Sequence, residues 1–323
     1  MPLSPPVSPT TGQLYTANGR TWSWTGAAWE LVAASGGSGL SWSSVPASAT
    51  ATGVAGSIAY DNANGFFYVA TATNTWKRAA LATWTPFTPA SISGLQGWYD
   101  ASDASTLYDA TSGGSLVAAD GAVARWQDKS GNANHVTQSD SSSRPLRRAA
   151  GINGLTAIEY DGTNDFLAAS GSVMPTGSAA RTVIAVYRPL RTTGVNAVAG
   201  VGSGAGSGLW FRIQFRDSPA GDPYFAGFAA DLTDSTGISQ TIKVASLTYN
   251  GTTGTLYRNG AQIASSSLSL NTQSNPFSIG GDGPSGSEYA KCYICEVLVY
   301  NSALSSTDRA AAESYLMTRW GIT

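Results

Sequence analysis

Charge is scarce in this 323-residue chain. Its 18 Lys and Arg and 20 Asp and Glu make up only 12% of the residues, about half the usual share of a soluble protein. Long solvated helices are normally laced with Lys and Glu, so the shortage argues against a helical architecture. The formal net charge is -2, and no basic cluster exists beyond Arg144, Arg147 and Arg148. A protein that tracks phosphates needs clustered cations, so nucleic acid is not an expected partner. The two cysteines, Cys292 and Cys295, are too few for a disulfide framework. No run of about 18 apolar residues exists, which argues against a membrane helix. The start, with Pro2, Pro5, Pro6 and Pro9, lacks the cationic-then-apolar pattern of a signal peptide. The expectation is a protein made and kept in a cytoplasm, or one that reaches the outside by lysis rather than export.

Gly, Ser, Thr and Ala fill the gap left by charge, and hydrophobic residues at 42% suffice for a core. This mixture favours turns and small-residue strands, because Gly and Thr disfavour helix while Thr, Val and Tyr suit a pleated surface. Two aromatic segments repeat one pattern. Gly12-Gln13-Leu14-Tyr15 leads to Asn18-Gly19 and then Trp22, Trp24 and Trp29; Gly56-Ser57-Ile58-Ala59-Tyr60 leads to Asn64-Gly65, Tyr68 and Trp76. Each reads as a strand, a tight Asn-Gly turn, an aromatic strand and a closing strand. Such units are too small to fold well alone, so their aromatics are expected to pack on another module or subunit. The predicted organisation is a β module over residues 1–33, a flexible Gly/Ser linker over 34–41, a second module over 42–82, a Pro-containing connector over 83–91, and one large domain over 92–323.

Within that domain the period is two. Leu209, Phe211, Ile213 and Phe215 alternate with Trp210, Arg212 and Gln214. Arg181 to Tyr187 is apolar on both faces, as a central strand requires. Ile242 to Tyr249 and Ile294 to Tyr300 are further strands, and Tyr257-Arg258-Asn259-Gly260 marks a hairpin. Turns rich in Gly, Asn and Ser separate them, which predicts an antiparallel sandwich. One helix is expected at the end, capped by Ser305 with Asp308 three residues on. Ala312, Tyr315, Leu316, Met317 and Trp320 give it an apolar stripe, and Gly321 stops it.

Four ordered motifs carry a family resemblance across about 230 residues. Trp126-Gln127-Asp128-Lys129-Ser130-Gly131-Asn132 resembles the "W-x-D-x-S-G-N" turn of laminin-G-like, concanavalin-type domains. Tyr160-Asp161-Gly162 through Asp165 and Leu167 resembles their "F-D-G-x-x-D-x-L" strand and turn. Tyr257-Arg258-Asn259-Gly260 resembles their "Y-x-N-G" hairpin, and Cys295 through Gly321 their closing strand and helix. The resemblance implies an all-β, concanavalin-like antiparallel β-sandwich (jelly roll) with a C-terminal helix, here preceded by two small β-hairpin modules. The N-terminal modules are similar to short aromatic units of phage tail fibres and head appendages. Together these imply a bacteriophage virion protein: a head decoration or tail appendage anchored to other virion proteins by its N-terminal modules. It would display the sandwich to host-surface glycans, with no membrane partner and as a homo-oligomer.

Concanavalin-like folds also host glucanases, which need two flanking carboxylates. The family's E-x-D-x-x-E strand motif is broken here, since Glu159-x-Asp161 is followed by Asn164. The expectation is no enzyme, with a glycoside hydrolase using Glu159 as one alternative and a ligand-free structural protein as another. His135 is read as a surface residue. Cys292 and Cys295, three apart on a strand, point to opposite faces and read as ordinary thiols. Glu296 stands in an apolar strand and needs a partner, expected in a backbone amide or Arg309. No cofactor is expected, although the resemblance keeps a rim calcium ion open, with Asp161, Asp165, Asp282 and Glu288 in or near loops. For a glycan, the need is an aromatic platform beside planar hydrogen-bonding groups. Trp210, Arg212 and Gln214 share one strand face, Tyr224 is expected on the neighbouring strand, and these four form the candidate site if that face is open.

Overall fold

A computed structural model describes residues 6–17, 20–32, 41–61, 64–80, 86–202, 206–218, 220–227, 229–283, 286 and 288–323. The Asn18-Gly19 turn and residues 34–40 of the expected linker lie outside the described residues. The chain divides into two units, residues 1–85 and 86–323.

The smaller unit holds two sheets. Leu14–Ala17, Arg20–Trp24 and Trp29–Val32 form an antiparallel meander. Its register sets Tyr15 opposite Trp22 and Trp24 opposite Trp29, which brings the rings within 5.9 and 5.6 Å of each other. In the second sheet, Ser57–Asp61, Phe66–Ala72 and Thr75–Ala80 are antiparallel. Ser41–Trp42 adds a parallel edge strand, so Ser41, read as the end of the linker, belongs to a strand. Ala59, Tyr68, Ala70 and Trp76 form a small core there.

The larger unit is a β-sandwich. Among the described residues, one sheet has nine strands, in the order Leu232–Thr233, Ala220–Ala226, Trp210–Asp217, Asn196–Gly202, Ser278–Ile279, Leu167–Ala169, Val136–Thr137, Arg125–Trp126 and Leu107–Tyr108. The other has eight, with Arg181–Pro189 central between Lys243–Tyr249 and Lys291–Tyr300. Between the sheets lie the inward residues of each alternating strand, among them Phe211, Ile213, Phe215, Val183, Ala185, Val297 and Val299. Full burial of each Val, Ile or Phe side chain among them contributes about 1.5–3 kcal/mol. The helix Ser306–Trp320 covers the outer face of the eight-stranded sheet, packing Ala312, Leu316 and Trp320 with Ile184, Val186, Val244 and Leu298. Ser305 Oγ accepts the Asp308 N–H at 3.1 Å, and Gly321 ends the helix at φ 64°, as the capping pattern predicts. No helix is long and apolar enough to cross a membrane among the described residues.

The ten-residue strand Lys291–Tyr300 changes partner halfway. Its first half pairs with Leu155–Asp161 and its second with Leu95–Asp100. At the changeover the register against Arg181–Pro189 slips, with Val186 opposite Glu296 but Tyr187 opposite Ile294. This bulge lets Cys295 and Glu296 both point outward, whereas strict alternation would aim Glu296 into the sandwich. Cys292 lies in the inner core and Cys295 in the outer one, on opposite faces as expected.

The bulge supplies Glu296 with partners that the sequence did not suggest. Trp98 Nε1 donates to one carboxylate oxygen at 2.7 Å and Trp320 Nε1 to the other at 2.8 Å. Arg309, the expected partner, instead pairs with Glu313 one helical turn on. Asp100, directly across the ladder from Glu296, binds Lys129 and Arg319, each at 2.9 Å.

Two motifs prove to be structural clamps. Asp128 accepts the backbone N–H groups of Trp98, Ser130 and Asn134 at 2.8, 2.8 and 3.0 Å, and Asn132 donates to Leu95 O at 2.9 Å. The Trp126–Asn132 turn is thereby fastened to the strand Leu95–Asp100. His135 is part of it, its Nδ1 accepting the Asp128 N–H at 3.1 Å. In the second motif Asp165 accepts the Asp161 N–H at 3.0 Å, which closes the turn after Leu155–Asp161.

Candidate functional site

No α-helix packs on the outer face of the nine-stranded sheet among the described residues. Along Trp210–Asp217 the even-numbered side chains face outward, because Phe211, Ile213 and Phe215 fill the core. Across the ladder, Gly200 stands opposite Arg212 and Gly202 opposite Trp210. A Cβ at Gly200 would sit 2.3 Å from Arg212 Cβ, and one at Gly202 would sit 2.6 Å from Trp210 Cα. The missing side chains let the guanidinium lie on the sheet. Arg212 Nη2 donates to Gly202 O at 2.7 Å, and the guanidinium stacks 4.2 Å from the Trp210 ring centroid, a cation–π contact.

The polar groups are locked together by an acid. Glu288 Oε2 lies 3.2 Å from Arg212 Nη1 and also accepts from Gln214 Nε2. Asp282 stands 3.9 Å from the same guanidinium nitrogen and accepts the Glu288 N–H at 3.2 Å. The Glu288 carbonyl is fixed in turn by Ala197 N–H at 2.9 Å. Burial raises the Glu288 carboxyl above its ordinary range, while Arg212 pulls it back. Burial also lowers Arg212, against which Glu288 and Asp282 act. The pair is a desolvated ion pair in which each charge offsets the cost of the other. Gln214 Oε1 is buried without a hydrogen-bond partner among the described residues.

Tyr224 joins the patch from the adjoining strand, directly opposite Gln214. Its hydroxyl donates to Asp231 Oδ2 at 2.7 Å, and Arg216 stacks 4.8 Å from its ring. Burial, then Asp231, holds the phenol protonated.

The structure thus brings all four sequence-derived residues into one patch, but the face is only partly open. Trp210 is half-buried, whereas Arg212, Gln214 and Tyr224 are 3%, 0% and 2% exposed. The physical reason is pairing: a cation and a carboxamide on a sheet face are matched by acids from distant loops. Sequence reasoning missed Arg216 and Asp231. It named Glu288 only as a calcium candidate and not as the partner of Arg212. Glycines at alternate positions in Asn196–Gly202 were the available signal that side chains lie across that strand.

The calcium candidates do not converge. Asp161 and Asp165 close the turn described above, and Asp161 Oδ1 also accepts the Thr163 N–H at 2.7 Å. Asp282 and Glu288 are engaged with Arg212 on the other sheet. No group of three or more His, Cys, Asp or Glu suited to a metal occurs among the described residues. Glu159 lies on the eight-stranded sheet, where Arg148 Nε donates to it at 2.6 Å; Arg148 also pairs with Asp120. Asp165 is raised to about 6, by burial first and then by Asp161.

Residues 161–308, a little under half of the chain, match the family described as the concanavalin A-like lectin/glucanases superfamily. No curated protein gives a match. Among solved structures, a GH54 α-L-arabinofuranosidase soaked with a cyclic sulfate inhibitor is similar, with a TM-score of 0.52 and 13% identity over 70% of this chain and 63% of that one. An arabinofuranosidase complexed with arabinofuranosyl-α-1,2-xylobiose gives 0.51 and 15%, over 74% and 61%. The binding domain of Paraclostridial Mosquitocidal Protein 1 gives 0.50 and 15%, over 71% and 53%. The chain therefore spans between half and two thirds of the length of these relatives, and at such identities the likeness is one of fold.

Proposed function

We propose that this chain is a non-enzymatic surface protein of a bacteriophage virion, whose sandwich binds host-surface glycan around Trp210. The small aromatic modules of residues 1–85 would dock to other virion proteins. The sandwich would be displayed outward, where weak repeated contacts gain from avidity. The observation that carries the reading is the Trp210–Arg212 stack locked by Glu288 on the helix-free sheet face. An indole flanked by fixed planar hydrogen-bonding groups is the chemistry that a pyranose needs. Its side chains are held before any ligand arrives, so little ordering entropy remains to be lost on binding. The engagement of Glu159 by Arg148 favours a structural role for that carboxylate over a catalytic one.

A glycan array probed with the full chain tests the ligand. Binding to a defined set of glycans that disappears in Trp210→Ala, with thermal stability retained, supports the reading; an array silent at all glycans removes it. Electron microscopy of intact particles with a labelled chain tests the location. Release of reducing ends from a polysaccharide, lost in Glu159→Gln, would instead establish a hydrolase.

A further inference from the structure

A buried lysine and a buried aspartate meet between the two sheets. Lys243 opens the strand Lys243–Tyr249 and stands directly across the ladder from Tyr187. Its side chain therefore points into the sandwich, with those of Tyr187, Ala245, Leu247 and Tyr249. Asp222 comes from the other sheet. The register of its strand slips between the pairs Gln214–Tyr224 and Arg216–Gly221, and this bulge turns Asp222 inward. There its Oδ1 accepts the Tyr187 hydroxyl at 2.7 Å. Its Oδ2 takes the Lys243 ammonium and the Ser239 N–H, the latter at 2.8 Å.

No other ion pair among the described residues lies so deep. The Lys243 and Asp222 side chains are 2% and 0% exposed. In every other pair at least one partner is 12% exposed or more. At this depth the desolvation of two charges offsets their attraction, so a salt bridge alone stabilises little.

The surroundings favour chemistry instead. Burial holds the Lys243 ammonium below its ordinary range; Asp222 opposes that shift and Arg258 adds to it. A desolvated lysine gives up its proton and becomes a nucleophile. The carboxyl beside it is held at both oxygens, by the phenol and by the Ser239 N–H. Burial first, and then Asp222, keeps the phenol protonated. Nucleophile, carboxyl carbon and proton donor are thus placed together in advance. Lys243 borders a cleft of about 300 Å³ with Ser239, Thr241 and Arg258, a route by which water can leave.

We propose that Lys243 and Asp222 condense to an amide, a self-made cross-link between the two sheets. The Nζ–Cγ bond forms and the Cγ–Oδ1 bond breaks. Ammonium and carboxylate become amide and water, with no other reactant. Two of the three ammonium protons leave on Oδ1, and the third stays on the nitrogen. Tyr187 hands the first of them to Oδ1 and is refilled from the lysine. The product buries no charge. Its N–H keeps Ser239 O, which accepts from Nζ at 2.7 Å, and its carbonyl oxygen, Oδ2, keeps the Ser239 N–H. The link closes a loop between positions 21 apart and fastens the strand that carries Tyr224 to the sheet that carries the C-terminal helix. It does not rest on glycan binding.

Tryptic mass spectrometry of the unfolded full chain tests this. Between Arg216 and Arg258 the only Lys or Arg is Lys243, and an acylated lysine is not cut. The expected product is a single peptide 217–258, lighter by one water, about 18 Da, with no fragment ions from backbone breaks between Asp222 and Lys243. Lys243→Arg cannot form the amide and should give peptides 217–243 and 244–258 at full mass, which is readable even if that variant folds poorly. Tyr187→Phe keeps both reactants and should show a smaller condensed fraction. Two full-mass peptides from the parent chain, or an uncut peptide 217–258 that has lost no water, would each overturn the proposal. Complete condensation in Tyr187→Phe would overturn the part given to the phenol.

Discussion

Trp320, the last residue of the C-terminal helix, donates its indole N–H to Glu296 Oε2 across 2.8 Å. The bond ties the end of the helix to the strand Lys291–Tyr300 at the bulge where that strand changes partner. Glu296 is fully buried and also accepts from Trp98, so one carboxylate joins three elements. Burial raises its pKa to about 7; Asp100 adds to the shift, while both indoles and Arg319 oppose it.

This junction makes stability depend on pH in a defined direction. The folded-state pKa of about 7 stands above the ordinary 4.5, so the folded chain holds the proton more tightly than the unfolded one. The contribution of Glu296 is fully present below 4.5 and is lost as pH rises through 7. Asp165, raised to about 6, acts with the same sign. Urea midpoints should therefore fall between about pH 5 and pH 8, and less steeply in Glu296→Gln, which lacks the titration but leaves Asp165 in place. Equal slopes in the two proteins would remove Glu296 as the source.

Truncation of the same residue should cost more than loss of its charge. Glu296→Ala leaves the buried Trp320 indole N–H and the half-buried Trp98 indole N–H without this acceptor, the buried one at about 1–3 kcal/mol. Chemical denaturation should show a loss of roughly 2–5 kcal/mol, with Trp98→Phe recovering part of it in the double variant. Additive losses from the two substitutions would mean that they do not share this bond.

The fold was legible in the sequence because its signals are local. Period-two alternation marked Trp210–Asp217, the Asn259-Gly260 turn marked its hairpin, and Ser305 with Gly321 marked both helix ends. The Asp128 and Asp161 turns fasten neighbouring backbone, and such short-range bonding leaves a readable pattern. What escaped depends on register. The Cys295–Glu296 bulge is invisible in a strand apolar on both faces, so a backbone amide or Arg309 was expected to partner Glu296 in place of the two indoles. The Arg212–Glu288 bond joins residues 76 apart, and no local spacing encodes it. The parallel strand Ser41–Trp42 is two residues long, too short to carry a periodicity.

Both thiols should be inert in the folded chain. Burial raises the pKa of Cys292 and of Cys295, so neither forms the reactive thiolate at neutral pH. They also lie on opposite faces of one strand, which prevents a bond between them. Ellman's reagent at about pH 8 should detect no thiol in native protein and two after denaturation. One rapidly reacting native thiol would contradict the burial of both.

The glycine opposite Arg212 offers the sharpest test of the patch. Any side chain at Gly200 meets Arg212 at both Cβ and Cα, and its backbone neighbour Phe211 O at 2.4 Å. Gly200→Ala should therefore separate the strands locally and lift the guanidinium from Trp210 and Gly202 O. Glu288 would then be buried with a displaced partner, which is costly. A fall of several degrees in melting temperature is expected, on the order of 1–3 kcal/mol, together with loss of glycan-array signal. Gly237 is the control, since a Cβ there meets nothing within 4 Å, and Gly237→Ala should change neither. If Gly200→Ala lowers stability yet leaves glycan binding intact, the Trp210–Arg212 stack is a packing feature of the sheet and the ligand binds elsewhere.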